Sequence, residues 1–195
     1  MEFSELEKLL ERINRFRNKL QIKEGMGVKW SYTFKNGEAH FYSIDGIKPP
    51  EEIEDDIATM FIWLWSLKDY VKKFVLYNGK SKQWVEARVN ADPYLCICAD
   101  IANSLKHGGL DPKFKPRSNK CPALGRLTYE IPHKAMGKIT IGAFDVGVNV
   151  SNPAMVILEM PVTGEHGSIL GDAFKYLDYG LKAWEHIVDE AEKTV

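Results

Sequence analysis

The chain has 195 residues, 45% of them hydrophobic and 11% aromatic, with a formal net charge of -1. This is enough apolar material to bury a core, which excludes global disorder, and the length suits a single domain over 1–195. The near-neutral charge excludes nucleic-acid binding by overall charge but leaves room for a local basic patch.

Residues 2–19 mix charged and apolar positions from the start, unlike a secretory signal. The apolar run Met60 to Trp65 is far short of the ~20 residues a membrane span needs, so no membrane partner is expected. Three cysteines, an odd number, read as reduced thiols of a cytoplasmic protein.

In chain order, Leu6, Leu9, Leu10, Ile13, Phe16 and Leu20 recur at helical spacing and predict a helix over 3–22. Between 28 and 44 the pattern changes to alternation. Val28, Trp30, Tyr32 and Phe34 precede the Asn36-Gly37 turn, and His40, Tyr42 and Ile44 return on one face, which predicts a β-hairpin. Pro50 followed by acidic residues opens a long helix over 50–77, and Asn78-Gly79 stops it. A helical pattern covers 82–107, with Asp92-Pro93 marking either a kink or a restart.

Strands are predicted over 124–162, with a bulge near Gly142 where the apolar parity flips between Ile141 and Phe144. A last helix is predicted over 168–193, its core face drawing on Ile169 and Leu170 and then on Phe174, Leu177, Leu181, Trp184 and Val188. The expected fold is α+β: a four-helix-bundle core with a small, mostly antiparallel sheet.

The chemistry concentrates in 94–110, YLCICADIANSLKHGGL. At about 100° per residue, Cys96, Asp100, Asn103, Ser104 and His107 share one stripe of the helix, while Leu95, Cys98, Ile101, Ala102 and Leu105 face the other way. Gly108 and Gly109 supply the left-handed stop. An acid, an amide, a hydroxyl and an imidazole are groups that make specific hydrogen bonds, unlike the Lys and Glu of an ordinary solvated face. A basic stretch follows: Lys106, Lys113, Lys115, Arg117, Lys120 and Arg126 stand against Asp111 alone. Such a run is either a soluble loop or a phosphate-contacting surface.

No phosphate-binding glycine loop, dinucleotide fingerprint, nucleophile elbow or zinc-type His-Glu-x-x-His is present, so no cofactor is expected. Asp100 and His107 lie about two turns apart, ~10 Å along the axis, which is long for two ligands of one metal.

The segment Ala102-Asn103-Ser104-Leu105-Lys106-His107 resembles the site of HEPN-type helical-bundle proteins, many of them ribonucleases of toxin and antiphage systems. In that motif an Arg and a polar residue precede a His on one bundle helix. Asn103 matches the polar position and His107 the histidine, while Ala102 stands where the Arg would be. The resemblance implies an RNA- or nucleotide-binding protein with His107 as acid/base and Asp100 orienting it. Asn103, Lys106, Lys113, Lys115 and Arg117 would hold phosphate, and two copies would pair into a homodimer. The competing reading is a non-catalytic structural or interaction module, in which Asp100, Asn103 and His107 form a hydrogen-bonded clasp.

Overall fold

The computed structural model describes residues 3–109 and 115–193, and shows an α+β protein. The described residues form five α-helices: α1 (Phe3–Gln21), α2 (Pro50–Tyr77), α3 (Lys82–Ala91), α4 (Pro93–His107) and α5 (Ala173–Lys193). They also form nine strands, β1 (Val28–Thr33), β2 (Ala39–Asp45), β3 (Ala123–Leu124), β4 (Thr128–Glu130), β5 (Met136–Ile141), β6 (Asp145–Val150), β7 (Ile157–Glu159), β8 (Pro161–Thr163) and β9 (Ile169–Asp172). No helix among the described residues is long and apolar enough to cross a membrane.

The chain divides into two compact units, each assembled from separated stretches. A helical unit comprises Met1–Asn18, Asp56–Arg126 and Met160–Val195, and a β unit comprises Lys19–Asp55 and Leu127–Glu159.

In the helical unit most apolar positions that the sequence assigns to the core are buried, but Leu105, expected on the core side of α4, is exposed on its last turn. Leu6 and Ile13 of α1, Met60, Phe61 and Leu64 of α2, Leu95 and Ile101 of α4, and Trp184 of α5 are sealed from solvent. Arg17 of α1 donates to Asp178 of α5 at 2.7 Å, and Phe16 stacks on Trp63 of α2. Gly180 lets α5 approach its neighbours closely. A Cβ there would sit 2.7 Å from Leu64 Cδ2 and 3.0 Å from Cys98 Sγ. Asp92 resolves the choice at 92–93 in favour of two helices. It closes α3, and its Oδ1 accepts from Tyr94 N–H at 2.8 Å and Leu95 N–H at 2.9 Å, capping α4 with Pro93 in the first turn.

The β unit holds a four-stranded sheet in the order β1-β2-β6-β5. The β1–β2 and β5–β6 pairs are antiparallel, whereas β2 and β6 run parallel, with Phe41 opposite Asp145 and Ile44 opposite Val148. Ile47, Ala135, Val150 and Val156 form its small core, and Ile44, Tyr129, Ile131 and Leu158 pack against them.

Two expectations about the strands and one about the last helix need correction. First, the described strands form three separate small sheets: β3-β8-β9 belongs to the helical unit and β4-β7 to the β unit, so the strands expected over 124–162 are divided among all three. Second, the parity flip near Gly142 is a hairpin turn rather than a bulge. Gly142 N–H donates to Asp145 O at 2.7 Å, which puts β5 and β6 side by side. Third, the last helix begins at Ala173 and not at 168, because Ile169 and Leu170 belong to β9. Asp172 starts the helix: its Oδ1 accepts from Lys175 N–H at 3.3 Å, while its Oδ2 holds Met160 N–H at 3.0 Å.

Candidate functional site

The polar stripe of α4 is divided by depth. Asp100 is only 2% exposed, among the apolar residues of the buried half of the helix. A carboxylate at that depth needs partners, and the chain supplies them from the segment that follows. Arg117 N–H donates to Oδ1 at 2.9 Å, and Ser118 donates to Oδ2 through both its N–H (2.8 Å) and its hydroxyl (2.6 Å). The Ser118 hydroxyl in turn accepts from Lys120 N–H at 3.3 Å. Asp100 therefore fastens the 117–120 turn to the side of α4.

Asn103 is half-buried, and Lys106 and His107 are exposed on the last turn. Gly108 ends the helix with φ 70°, its N–H donating back to Ser104 O. The imidazole of His107 is not among Asp100's hydrogen-bond partners, and about two helical turns, ~10 Å, separate the two residues.

The predicted phosphate ligands also part company. Lys113 lies outside the described residues, and Lys115 is exposed. Arg117 is engaged internally. Its guanidinium donates to Asn90 Oδ1 at 2.7 Å, pairs with Glu86 at 2.8 Å, and lies over the ring of Trp65 with its Cζ 5.1 Å from the centroid. Lys68 covers the same ring at 4.2 Å, and Lys72 donates to Glu86. Burial alone would raise the Glu86 carboxyl, but hydrogen bonds and charge from Lys72 and Arg117 outweigh it and hold the group below its ordinary value. Burial, reinforced by the charge of Lys72, lowers the Lys68 ammonium. These residues form a partly buried ion network that ties α2, α3 and the 117–120 turn together.

A different surface, not singled out by the sequence, lies on the β unit. Strand register sorts the four-stranded sheet into two chemically distinct faces. Ser31, Ser43, Gly147 and Thr140 share one face with Lys29, Lys138, Asp45, Asp145 and a single exposed aromatic, Phe41, around a shallow open trough of about 680 Å³. Gly147 keeps its floor clear, since a Cβ there would meet Ser43 Oγ at 3.0 Å. The opposite face carries Trp30, Tyr32, Tyr42, Val146, Ile139 and Ile141 in adjacent rows. Trp30 stacks on Tyr42 with centroids 5.4 Å apart, and His40 meets Phe34 and Phe144 edge-on at 5.0 and 5.8 Å. The alternation in 28–44 was the available signal; it marks an apolar face without saying whether anything covers it.

Chemically, the α4 site contains a saturated structural carboxylate and, two turns on, an open imidazole beside a lysine. The described residues contain no group of three or more His, Cys, Asp or Glu placed to hold a metal ion. All three cysteines are free thiols, and burial raises the Cys98 thiol well above the ordinary range. Comparison with protein-family models, curated proteins and solved structures finds no match to this chain.

Proposed function

We propose that this chain is a non-catalytic binding or interaction module of HEPN-like type, in which α1, α2, α4 and α5 supply the four bundle helices and Asp100 acts as a clasp. The observation that carries this reading is the state of Asp100: buried, with both oxygens occupied by Arg117 and Ser118. A carboxylate spent in this way is not free to orient an imidazole two turns away. Arg117, drawn into the network with Glu86 and Asn90, is likewise not free to grip a scissile phosphate. With Ala102 at the motif's arginine position, α4 lacks the arginine that the motif places beside the scissile phosphate.

A second reading is favoured by the exposed end of the same helix. Lys106 and His107, with half-buried Asn103 beside them and Lys115 beyond, present cationic and amide groups to solvent, a set suited to RNA or nucleotide phosphate. This is the reading in which the protein works in cytoplasmic toxin or antiphage defence.

Incubation of structured and single-stranded RNA with wild type and His107→Ala separates the readings. The module reading expects no cleavage by either protein; cleavage lost in His107→Ala would overturn it. RNA binding that weakens with salt and with Lys106→Ala or Lys115→Ala would establish phosphate contact. Binding absent or indifferent to both substitutions would remove it.

A further inference from the structure

We infer that the apolar face of the sheet β1-β2-β6-β5 is the seat of a second copy of this chain, joined face to face as a symmetric β-sandwich. A sheet with one apolar and one polar face is stable when the apolar face is covered by another layer. Here the usual arrangement is left incomplete. The polar face carries the lysines and aspartates of the trough, while the apolar face leaves Trp30 47%, Tyr32 59%, Phe144 52% and Ile141 78% exposed. Ile139 and Val146 fill the rows between them and are also exposed.

The size and charge of the face decide in favour of a second copy. These six side chains leave roughly 700 Å² open, larger than the patches typical of monomeric proteins and close to the ~800 Å² per partner of a standard interface. The rows carry little charge to be matched. The titratable pair on this face, His40 and Glu38, is satisfied internally at 2.8 Å. A partner recognised by charge would find nothing to pair with, whereas a neutral, aromatic-rich face is complementary to itself across a twofold axis. Two such sheets would stack ~10 Å apart with their strands inclined by about 30°, the aligned packing that twisted sheets prefer. The trough on the opposite face would stay open in the pair.

The test is sedimentation equilibrium on the full chain up to about 100 µM, comparing wild type with Ile141→Asp, Phe144→Ser and Thr140→Asp. Thr140 lies beside Ile141 on β5 but on the polar face. The expected result is a wild-type dimer, with a dissociation constant raised at least about thirtyfold by Ile141→Asp, since a carboxylate would be buried without a partner. Phe144→Ser should weaken the dimer in the same direction, and Thr140→Asp should leave it unchanged. Far-UV circular dichroism checks that each variant is folded; all three positions are exposed. A wild type that stays monomeric over the whole range overturns the inference. So does a dimer indifferent to Ile141→Asp and Phe144→Ser, or one that Thr140→Asp dissociates equally.

Discussion

Replacing Asp100 by Ala removes the acceptor for Arg117 N–H, Ser118 N–H and the Ser118 hydroxyl at once. A hydrogen bond to a charged group contributes about 1.5–3 kcal/mol, and a buried donor left unpaired costs about 1–3 kcal/mol. The turn residues are themselves only half-buried, so their freed donors regain water once the turn lifts. Halving the gross figure on that account leaves a loss of about 3 kcal/mol, or a fall in Tm of roughly 6–12 °C for a chain of this size. Asp100→Asn should cost about 2 kcal/mol, because the amide keeps one acceptor but turns its NH₂ against a donor. Urea unfolding followed by tryptophan fluorescence gives the global number. Amide hydrogen exchange at Arg117 and Ser118 gives the local one, and both amides should lose protection in Asp100→Ala. A loss below about 0.5 kcal/mol with both amides still protected would refute the clasp.

Two further outcomes follow from the same packing. Gly180→Ala gains about 1 kcal/mol of helix propensity but drives a methyl into Leu64 and Cys98, an overpacking cost of about 1–3 kcal/mol. The Cys98 thiol donates to Tyr176 O at 3.4 Å and does not move aside without losing that bond, so net destabilisation is expected. A stabilised variant in urea titration would contradict the close approach. Glu86 gives a pH signature. Its folded value is depressed, so its contribution is fully present above the ordinary carboxylate value of 4.5 and is lost as pH falls through the lower folded value. Wild type should therefore lose stability more steeply than Glu86→Gln as pH falls below the ordinary carboxylate value, and parallel profiles would show that the network contributes nothing.

The helices were legible because their signals are local. The apolar stripes of α1 and α2 and the Asp92 cap each declare themselves within a few residues. Ile169 and Leu170 misled because two apolar neighbours fit a helical stripe as well as a strand. Asp172, the residue that marks the true start, looked like one more polar position. The sheets were the least legible part. The alternation of 28–44 was clear and its facing is borne out by the register, but no local pattern tells β2 to pair in parallel with β6. Dividing the chain after β6 between two sheets depends on β4 and β3, roughly 30 and 40 residues back in the sequence. At the candidate site, the stripe and its Gly108 stop were readable, but depth was not. Whether Asp100 or His107 is the buried member depends on where the 117–120 turn docks. Charge counting likewise saw Arg117 as one of a basic run, since composition does not show that Glu86 and Asn90 await it.

The parallel pairing of β2 with β6 also sets a timetable for biosynthesis. The β1–β2 hairpin is complete by Asp45, yet the neighbour that closes its second edge begins at Asp145, about a hundred residues later. At a synthesis rate of about 5–20 residues per second, β2 waits roughly 5–20 s with that row of amides and carbonyls unsatisfied. An unpaired strand edge is a template for any passing strand, and this one belongs to a hairpin already bearing Trp30, Tyr32 and Phe41 in the open. The nascent chain is thus most vulnerable to misassembly while α2, α3 and α4 are being made, and slowed translation over that interval would lower the yield of folded protein.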